Sequence, residues 1–300
     1  KSRGNTIDVI DQLDKRGADI LRLWVASQDY QDDIRCGENL VAKAEDAYRK
    51  IRNTLRYLFG NLSGFDPKKD AVPYEQMLEI DKWAMQQLQK LIAEVTEAYE
   101  EFTYHRVFSS LYNFCSVEMS SLYMDVLKDR MYCDAAGSLS RRSGQTAMYE
   151  VLGALVRMFA PILVHTAEEA WEAMPVKPED CASVHLAHMP KVDPAIDYAG
   201  EEAKWAQLMG LRDEVLKVLE GLRKDKIIAS NQEASVTMQC DPEDAAAIRE
   251  FGVAQFAALC IVSEIKLEEG AAQTTVTATK SPHPKCQRCW NFWPSVGANA

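Results

Sequence analysis

The sequence has no long uncharged run. Its longest stretch without Asp, Glu, Lys or Arg lies between Phe251 and Ser263, short of the ~20 residues needed to cross a bilayer. No basic segment followed by an apolar one opens the chain, so nothing reads as a secretory leader. The eight cysteines stand singly apart from one pair, which excludes a disulfide framework and leads us to expect a reduced, cytoplasmic setting. Positive charge is also short, with 34 Lys and Arg against 45 Asp and Glu and a net charge of −11. That balance excludes a uniformly basic surface but not local basic clusters, because charges screen one another beyond ~8 Å at physiological salt. A nucleotide-binding P-loop, a nucleophile–base constellation, paired catalytic carboxylates and internal repeats are absent as well.

What is present is globular in composition, 47% hydrophobic and 26% charged, and long enough for two or three units. A glycine-containing loop leads to a helix around "GADILRLWVASQD", where Ile20, Leu21, Trp24 and Val25 recur at helical spacing. Long amphipathic helices are then expected from Glu38 to about Leu58, Met77 to Phe102, Tyr104 to Tyr132, and Gln145 to Met174 with a kink at Pro161. The segment "CDAAGSLSRRSGQ" between the last two reads as a loop. Four such helices over residues 41–175 argue for a helix bundle. A proline-rich polar stretch, "PVKPEDCASVHLAHMPKVDP", reads as a boundary. After a helix at Glu201–Lys226, "EASVTMQC", "CIVSEIKLE" and "TTVTATK" read as strands around the helical "PEDAAAIREFGVAQFAAL". The expected fold is mainly α: segment 1–40, a bundle over 41–190, a small α/β unit over 191–279 and a terminal segment over 280–300.

Three features could carry chemistry. On the helix from Glu38, Val41, Ala44, Ile51, Leu55 and Leu58 share one face, while Arg49, Arg52 and Arg56 share another with Lys50 alongside. A row of guanidinium groups suits phosphates; equally, it suits an exposed face on which Glu45 and Asp46 pair with Arg49. Arg141 and Arg142 add a second basic spot of the same ambiguity. Cys286 and Cys289 are spaced like half of a four-ligand zinc site, and Lys285 and Arg288 between and before them favour thiolates. A redox C-x-x-C is the competing reading, and Cys181, His185 and His188 form a rival metal cluster in the boundary stretch. Trp290, Phe292 and Trp293, with Arg288, either stack on unpaired bases or form the small core of the cysteine segment.

The order of these segments resembles one family. "KSRGN" resembles the tail of the K-M-S-K-S signature of class I aminoacyl-tRNA synthetases, so that the start of the chain reads as a cut through it. "GADILRLWVASQDYQDDIR", "YRKIRNTLRYLFGNLSGFDP", "RRSGQTAMYEVL", "LRKDKIIASNQEASV" and "CQRCW" resemble successive parts of the isoleucyl-tRNA synthetase family, across essentially the entire chain. Valyl and leucyl relatives share the first part and the bundle, but "DYQDDIR" and the cysteine pair favour the isoleucine branch. The resemblance implies that Lys1 and Ser2 are remnants of an ATP-binding loop. It implies that the bundle binds the anticodon region of tRNA(Ile) through Arg49, Arg52, Arg56, Arg141 and Arg142, with Arg288 and Trp290 near the bases. Cys286 and Cys289 become the first two ligands of a structural Zn²⁺, the second pair being expected about fifteen to twenty residues further on. The complete enzyme would join isoleucine to tRNA using ATP and Mg²⁺. This chain, without nucleotide fold or editing domain, is expected to be monomeric, to touch no membrane, and to bind tRNA without catalysing. A free-standing tRNA-binding protein and a zinc scaffold unrelated to RNA are the competing readings.

Overall fold

A computed structural model describes residues 8–298; the expectations placed on Lys1 and Ser2 lie outside the described residues. The chain divides into two compact units, one made of residues up to 125 with 135–196, the other of 126–134 with 197 onward.

The first unit is helical. Asp8 caps α1 (Val9–Arg16) through its carboxylate, and Gly17, at φ 84°, separates it from α2 (Ala18–Ala26). The glycine-containing loop expected before α2 is thus partly helix. α3 (Glu38–Asn61) follows, burying Val41, Ala44, Ile51, Leu55 and Leu58 along the expected face. A short α4 (Pro67–Asp70) leads to α5 (Glu79–Glu100), and then α6 (Tyr104–Asn113). The expected single helix up to Tyr132 does not form. A π-helical stretch takes over at Phe114–Tyr123, followed by the short α7 (Met124–Val126); α8 (Lys128–Cys133), next in the chain, belongs to the second unit. The wider turn has a local cause in its hydroxyls. Ser120 donates to Cys115 O and Ser121 to Ser116 O, each five residues back, while Thr54 on α3 donates to Cys115 O from across the bundle.

α9 (Leu139–Phe159) starts six residues before the expected Gln145, because Ser138 caps it by accepting from Arg141 N–H. The segment read as a loop is therefore partly helix. At Pro161 the chain breaks outright rather than kinking, and α10 (Val164–Ala173) begins afresh. Two groups from α2 secure that break. Arg22 donates to Ile162 O and Pro161 O, both at 2.8 Å, and the buried Asp19 accepts from Thr166 N–H and hydroxyl, both at 2.7 Å, and from His165 N–H at 3.3 Å. Asp19 thus caps α10 from another helix. A second buried carboxylate, Asp81 in the first turn of α5, accepts from Tyr123 at 2.8 Å and Ser143 at 2.5 Å, joining α5, the π-helical stretch and α9. Around these sit Leu23, Ile51, Leu58, Leu111, Met119, Met148, Phe159 and Trp171, all below 2% exposed. Emptying one such aromatic site costs about 3–5 kcal/mol.

The second unit is a small α/β layer. α11 (Glu202–Lys224) packs against a three-stranded sheet of β1 (Ala234–Cys240), β2 (Glu264–Glu269) and β3 (Thr275–Lys280), in the order β2-β1-β3. β1 and β2 are parallel with Val236 opposite Ile265, which requires a crossover. α12 (Pro242–Phe251) and α13 (Val253–Cys260) supply it. Gly252, at φ 95°, turns the expected single helix into two. β3 runs antiparallel to β1, placing Ala278 opposite Val236. Alternation along β1 buries Ala234, Val236, Met238 and Cys240. Trp205 and Phe251 meet edge to face at 5.5 Å beneath them.

Asp19→Ala leaves three donors at the start of α10 without their acceptor, one of them a hydroxyl in the core. A loss of about 1–3 kcal/mol is expected, read as a lower midpoint of chemical unfolding by tryptophan fluorescence. An unmoved midpoint would show that water replaces the carboxylate.

Candidate nucleic-acid interface

α3 turns its apolar face inward, which carries Arg49, Arg52 and Arg56 to the outside, as their spacing requires. Their surroundings differ. Arg49 is paired on its own helix, to Asp46 at 3.1 Å and Glu45 at 3.5 Å. Arg52 reaches α10 and holds both oxygens of Glu169, at 2.9 and 3.0 Å. It also donates to the Tyr48 hydroxyl at 3.3 Å. Tyr48 lies 2.9 Å from the Thr166 hydroxyl, whose own proton goes to Asp19. Since each hydroxyl has one proton, the direction is settled: Arg52 donates to Tyr48, Tyr48 to Thr166, Thr166 to Asp19. The hydrogen bonds from Arg52 hold the Glu169 carboxyl below the usual carboxylate range, and those to Glu169 and Tyr48 raise Arg52 further above its own. Arg56 alone of the three is exposed with neither hydrogen bond nor ion pair among the described residues. Beside the row, Lys50 donates to the Tyr112 hydroxyl at 2.9 Å and lies over its ring.

Arg142 is not on a free loop. Only 18% of its side chain is exposed; it donates to Gly64 O at 2.9 Å and Gln145 Oε1 at 2.8 Å, pairs with Asp70 at 3.3 Å and faces the Phe65 ring. Its neighbour Arg141 lies in the first turn of α9, half-buried and engaged within the chain. The physical reason is the Ser138 cap, which draws both arginines into a helix start packed against the end of α3.

The cysteine pair sits on a tight hairpin of the second unit. Lys285 and Phe292 bridge it, Cys286 N–H donates to Asn291 O at 2.8 Å, and Trp290 N–H returns to Cys286 O at 3.0 Å. The hairpin rests on α8 and the start of β2. The Asn291 amide donates to Asp129, the Cys133 thiol lies 3.6 Å from Arg288 O, and Phe292 N–H donates to Ser263 at 2.7 Å. Backbone N–H groups of Cys289 and Arg288 and the Cys289 side chain, with the Arg288 charge, hold the Cys286 thiol below the ordinary range. Burial and the Asp129 charge push Cys133 the other way. Two thiols so presented fit one edge of a tetrahedral thiolate site, but among the described residues no third donor joins them. Cys181, His185 and His188 do not gather either: their partners are Ser183 O, Val164 O and Glu179.

Trp290 is 63% exposed at φ 65°, with Lys285 over its ring at 5.3 Å. It is no core residue; the hairpin's buried side chain is Asn291. An open indole beside Lys285 and the exposed Arg288 offers a flat stacking surface edged with positive charge. Glu169, Thr166 and Asp19 escaped sequence reading, since Glu169 lies 117 residues from Arg52 and nothing local announces the pair. Tyr48, one turn before Arg52, was the only local signal. No helix among the described residues is long and apolar enough to cross a membrane.

The family described as "Anticodon-binding domain of tRNA ligase" matches residues 81–238. The chain is 44% identical to an isoleucine–tRNA ligase of Symbiobacterium thermophilum, the match covering 99% of this chain and 33% of that protein. It is 42% identical to that of Syntrophotalea carbinolica and 45% identical to that of Caldicellulosiruptor saccharolyticus, each over 100% of this chain and 33% of the relative. The chain therefore spans about a third of the length of the curated relatives it matches.

The thiol environments predict an order of reactivity, since the thiolate is the nucleophile. Alkylation followed by mass spectrometry should modify Cys286 at a lower pH than Cys133, and should leave the buried Cys260, pushed up to about 12 by desolvation, untouched in the folded chain. Cys133 reacting first would mean that the hairpin N–H groups do not point at the Cys286 sulfur.

Proposed function

Because the chain belongs to the family of the anticodon-binding domain of tRNA ligase, we propose that it grips tRNA(Ile) by the anticodon stem and loop for an isoleucine–tRNA ligase. The observation that carries the reading is the run of identity with isoleucine–tRNA ligases along virtually the full chain, beyond the bundle and through the cysteine hairpin. In the whole protein, isoleucine would be activated with ATP and Mg²⁺ and passed to the tRNA through an aminoacyl-adenylate. This chain would supply binding, not chemistry, as a monomer in the cytoplasm. Zinc would be held by Cys286 and Cys289 with a further pair of ligands, and it would act as a structural cross-link of the hairpin.

The contacts follow from which cations are available. Arg56 is the first candidate for a phosphate, being exposed and unpaired. Arg49 and Arg52 would reach phosphate only by giving up carboxylates. Arg142 acts more through the fold than through RNA, because its guanidinium is engaged by Gly64 O, Gln145 and Asp70; Arg141 beside it, in the first turn of α9, remains a candidate contact. Trp290 would stack on an unpaired base, with Arg288 and Lys285 beside it. The net charge of −11 does not oppose this, since only charges within about a Debye length of a phosphate are felt strongly.

Filter binding of the chain to tRNA(Ile) across a salt series tests the reading. Affinity should fall steeply with salt, and Arg56→Ala should weaken it several-fold and flatten the log–log slope by about one phosphate's worth, ~0.9 on a duplex stem. Binding without salt dependence would sink the proposed function, and an unchanged slope in Arg56→Ala would remove that residue from the interface.

A further inference from the structure

We propose that Glu169 is a built-in counter-ligand of the basic row: its carboxylate fills the fork of Arg52 that a backbone phosphate would otherwise take, and so limits how many phosphates α3 engages. The inference rests on the tRNA-binding reading above and deepens it.

The geometry is that of a phosphate mimic. The two terminal Arg52 nitrogens meet the two Glu169 oxygens, at 2.9 and 3.0 Å, the bidentate arrangement that a guanidinium makes with carboxylate and phosphate alike. Tyr48 fixes the guanidinium from behind at 3.3 Å, so Arg52 is presented in one orientation. The pair is open, with 40% of the Arg52 side chain and 64% of that of Glu169 exposed. Exposed pairs contribute little to stability, so folding alone explains little of this geometry. Contrast Arg49, whose acids lie three and four residues away on its own helix; such a pair can part by side-chain rotation alone. Glu169 comes from another helix and is backed by Glu172 one turn on, exposed and without a hydrogen bond or ion pair among the described residues.

A phosphate entering the Arg52 fork would replace one bidentate pair by another, gaining no hydrogen bond, and would leave Glu169 as an unpaired like charge beside it. Juxtaposed like charges cost affinity, and a repulsive element of this kind sharpens discrimination among partners. Phosphate contact is thereby directed along α3 toward Arg56, where no acid stands guard.

The test compares tRNA(Ile) binding by the full chain, Glu169→Gln, Arg52→Ala and the double variant over a salt series, with circular dichroism to confirm that all four fold. Expected for Glu169→Gln is an affinity gain of about threefold or more at low salt and a slope steeper by about one phosphate, ~0.9. Arg52→Ala alone should give no gain, since it removes the fork and leaves Glu169 unpaired, and in the double variant the gain of Glu169→Gln should vanish. Glu169→Gln binding equally or more weakly, while the unaltered chain binds tRNA, overturns the counter-ligand and leaves the tRNA reading standing. An unaltered chain that ignores tRNA overturns both.

Discussion

One relay of hydrogen bonds sets the constraints on the first unit: Arg52 to Tyr48 to Thr166 to Asp19. Its inner end is a carboxylate only 7% exposed, which in an apolar interior is tolerable only when its oxygens are well supplied with donors. The donors come from the break at Pro161. Ending α9 there starts α10 with free N–H groups, and Asp19 accepts two of them. Proline, cap and buried acid are therefore one arrangement, each tolerable because of the others. The outer end is a guanidinium at the surface, so the order of the core and the orientation of Arg52 are set by the same protons. Chains of this kind polarise cooperatively, and a change at Asp19 bears on Arg52 without touching it.

Asp81 shows the same economy at the other end of the bundle. It stands in the first turn of α5, where the helix dipole favours negative charge, and takes the hydroxyl protons of Tyr123 and Ser143. Tyr123 reaches it from the last residue of the π-helical stretch. The i→i+5 winding there is sustained by serines that return to carbonyls five residues back. Buried polar groups thus specify how the bundle's irregular segments meet, while Leu, Met and aromatic side chains supply the bulk of its cohesion.

Much of this was legible in the residues because periodicity is a local property. The apolar face of α3, the span of α5, the three strands and the outward placement of Arg49, Arg52 and Arg56 all follow from side-chain spacing. What escaped was either non-local or written in a single capping residue. Ser138 begins α9 six residues before Gln145, so Arg141 and Arg142, in a stretch whose composition suggests a loop, are helix-bound. The π-helical winding is supported by serine hydroxyls returning to carbonyls five residues back, a pattern that apolar periodicity does not register. Glu169 is the plainest case: an acidic residue on an amphipathic helix reads as a solvated face, and only folding brings it to Arg52. At the hairpin, spacing identified the thiols, whereas the positive φ of Trp290, which turns its ring outward, has no signature in a run of aromatics.

With 45 acidic against 34 basic residues in this chain, the pairing pattern shows where cations stand without a carboxylate. Of the guanidinium groups on the outer face of α3, one is matched within its helix and one across to α10, leaving Arg56 open. Arg142 serves the fold at Asp70 and Gly64. In the hairpin the balance is reversed, with Lys285 and Arg288 exposed around an open indole. Arg56, Lys285 and Arg288 are thus exposed cations in a chain of net charge −11. Long-range attraction, which would draw any polyanion, is weak in such a protein, while contact at short range is strong only where phosphates fall in register with those cations. On the proposed reading, steering would be given up in favour of selection, which discrimination among nucleic acids of equal charge requires.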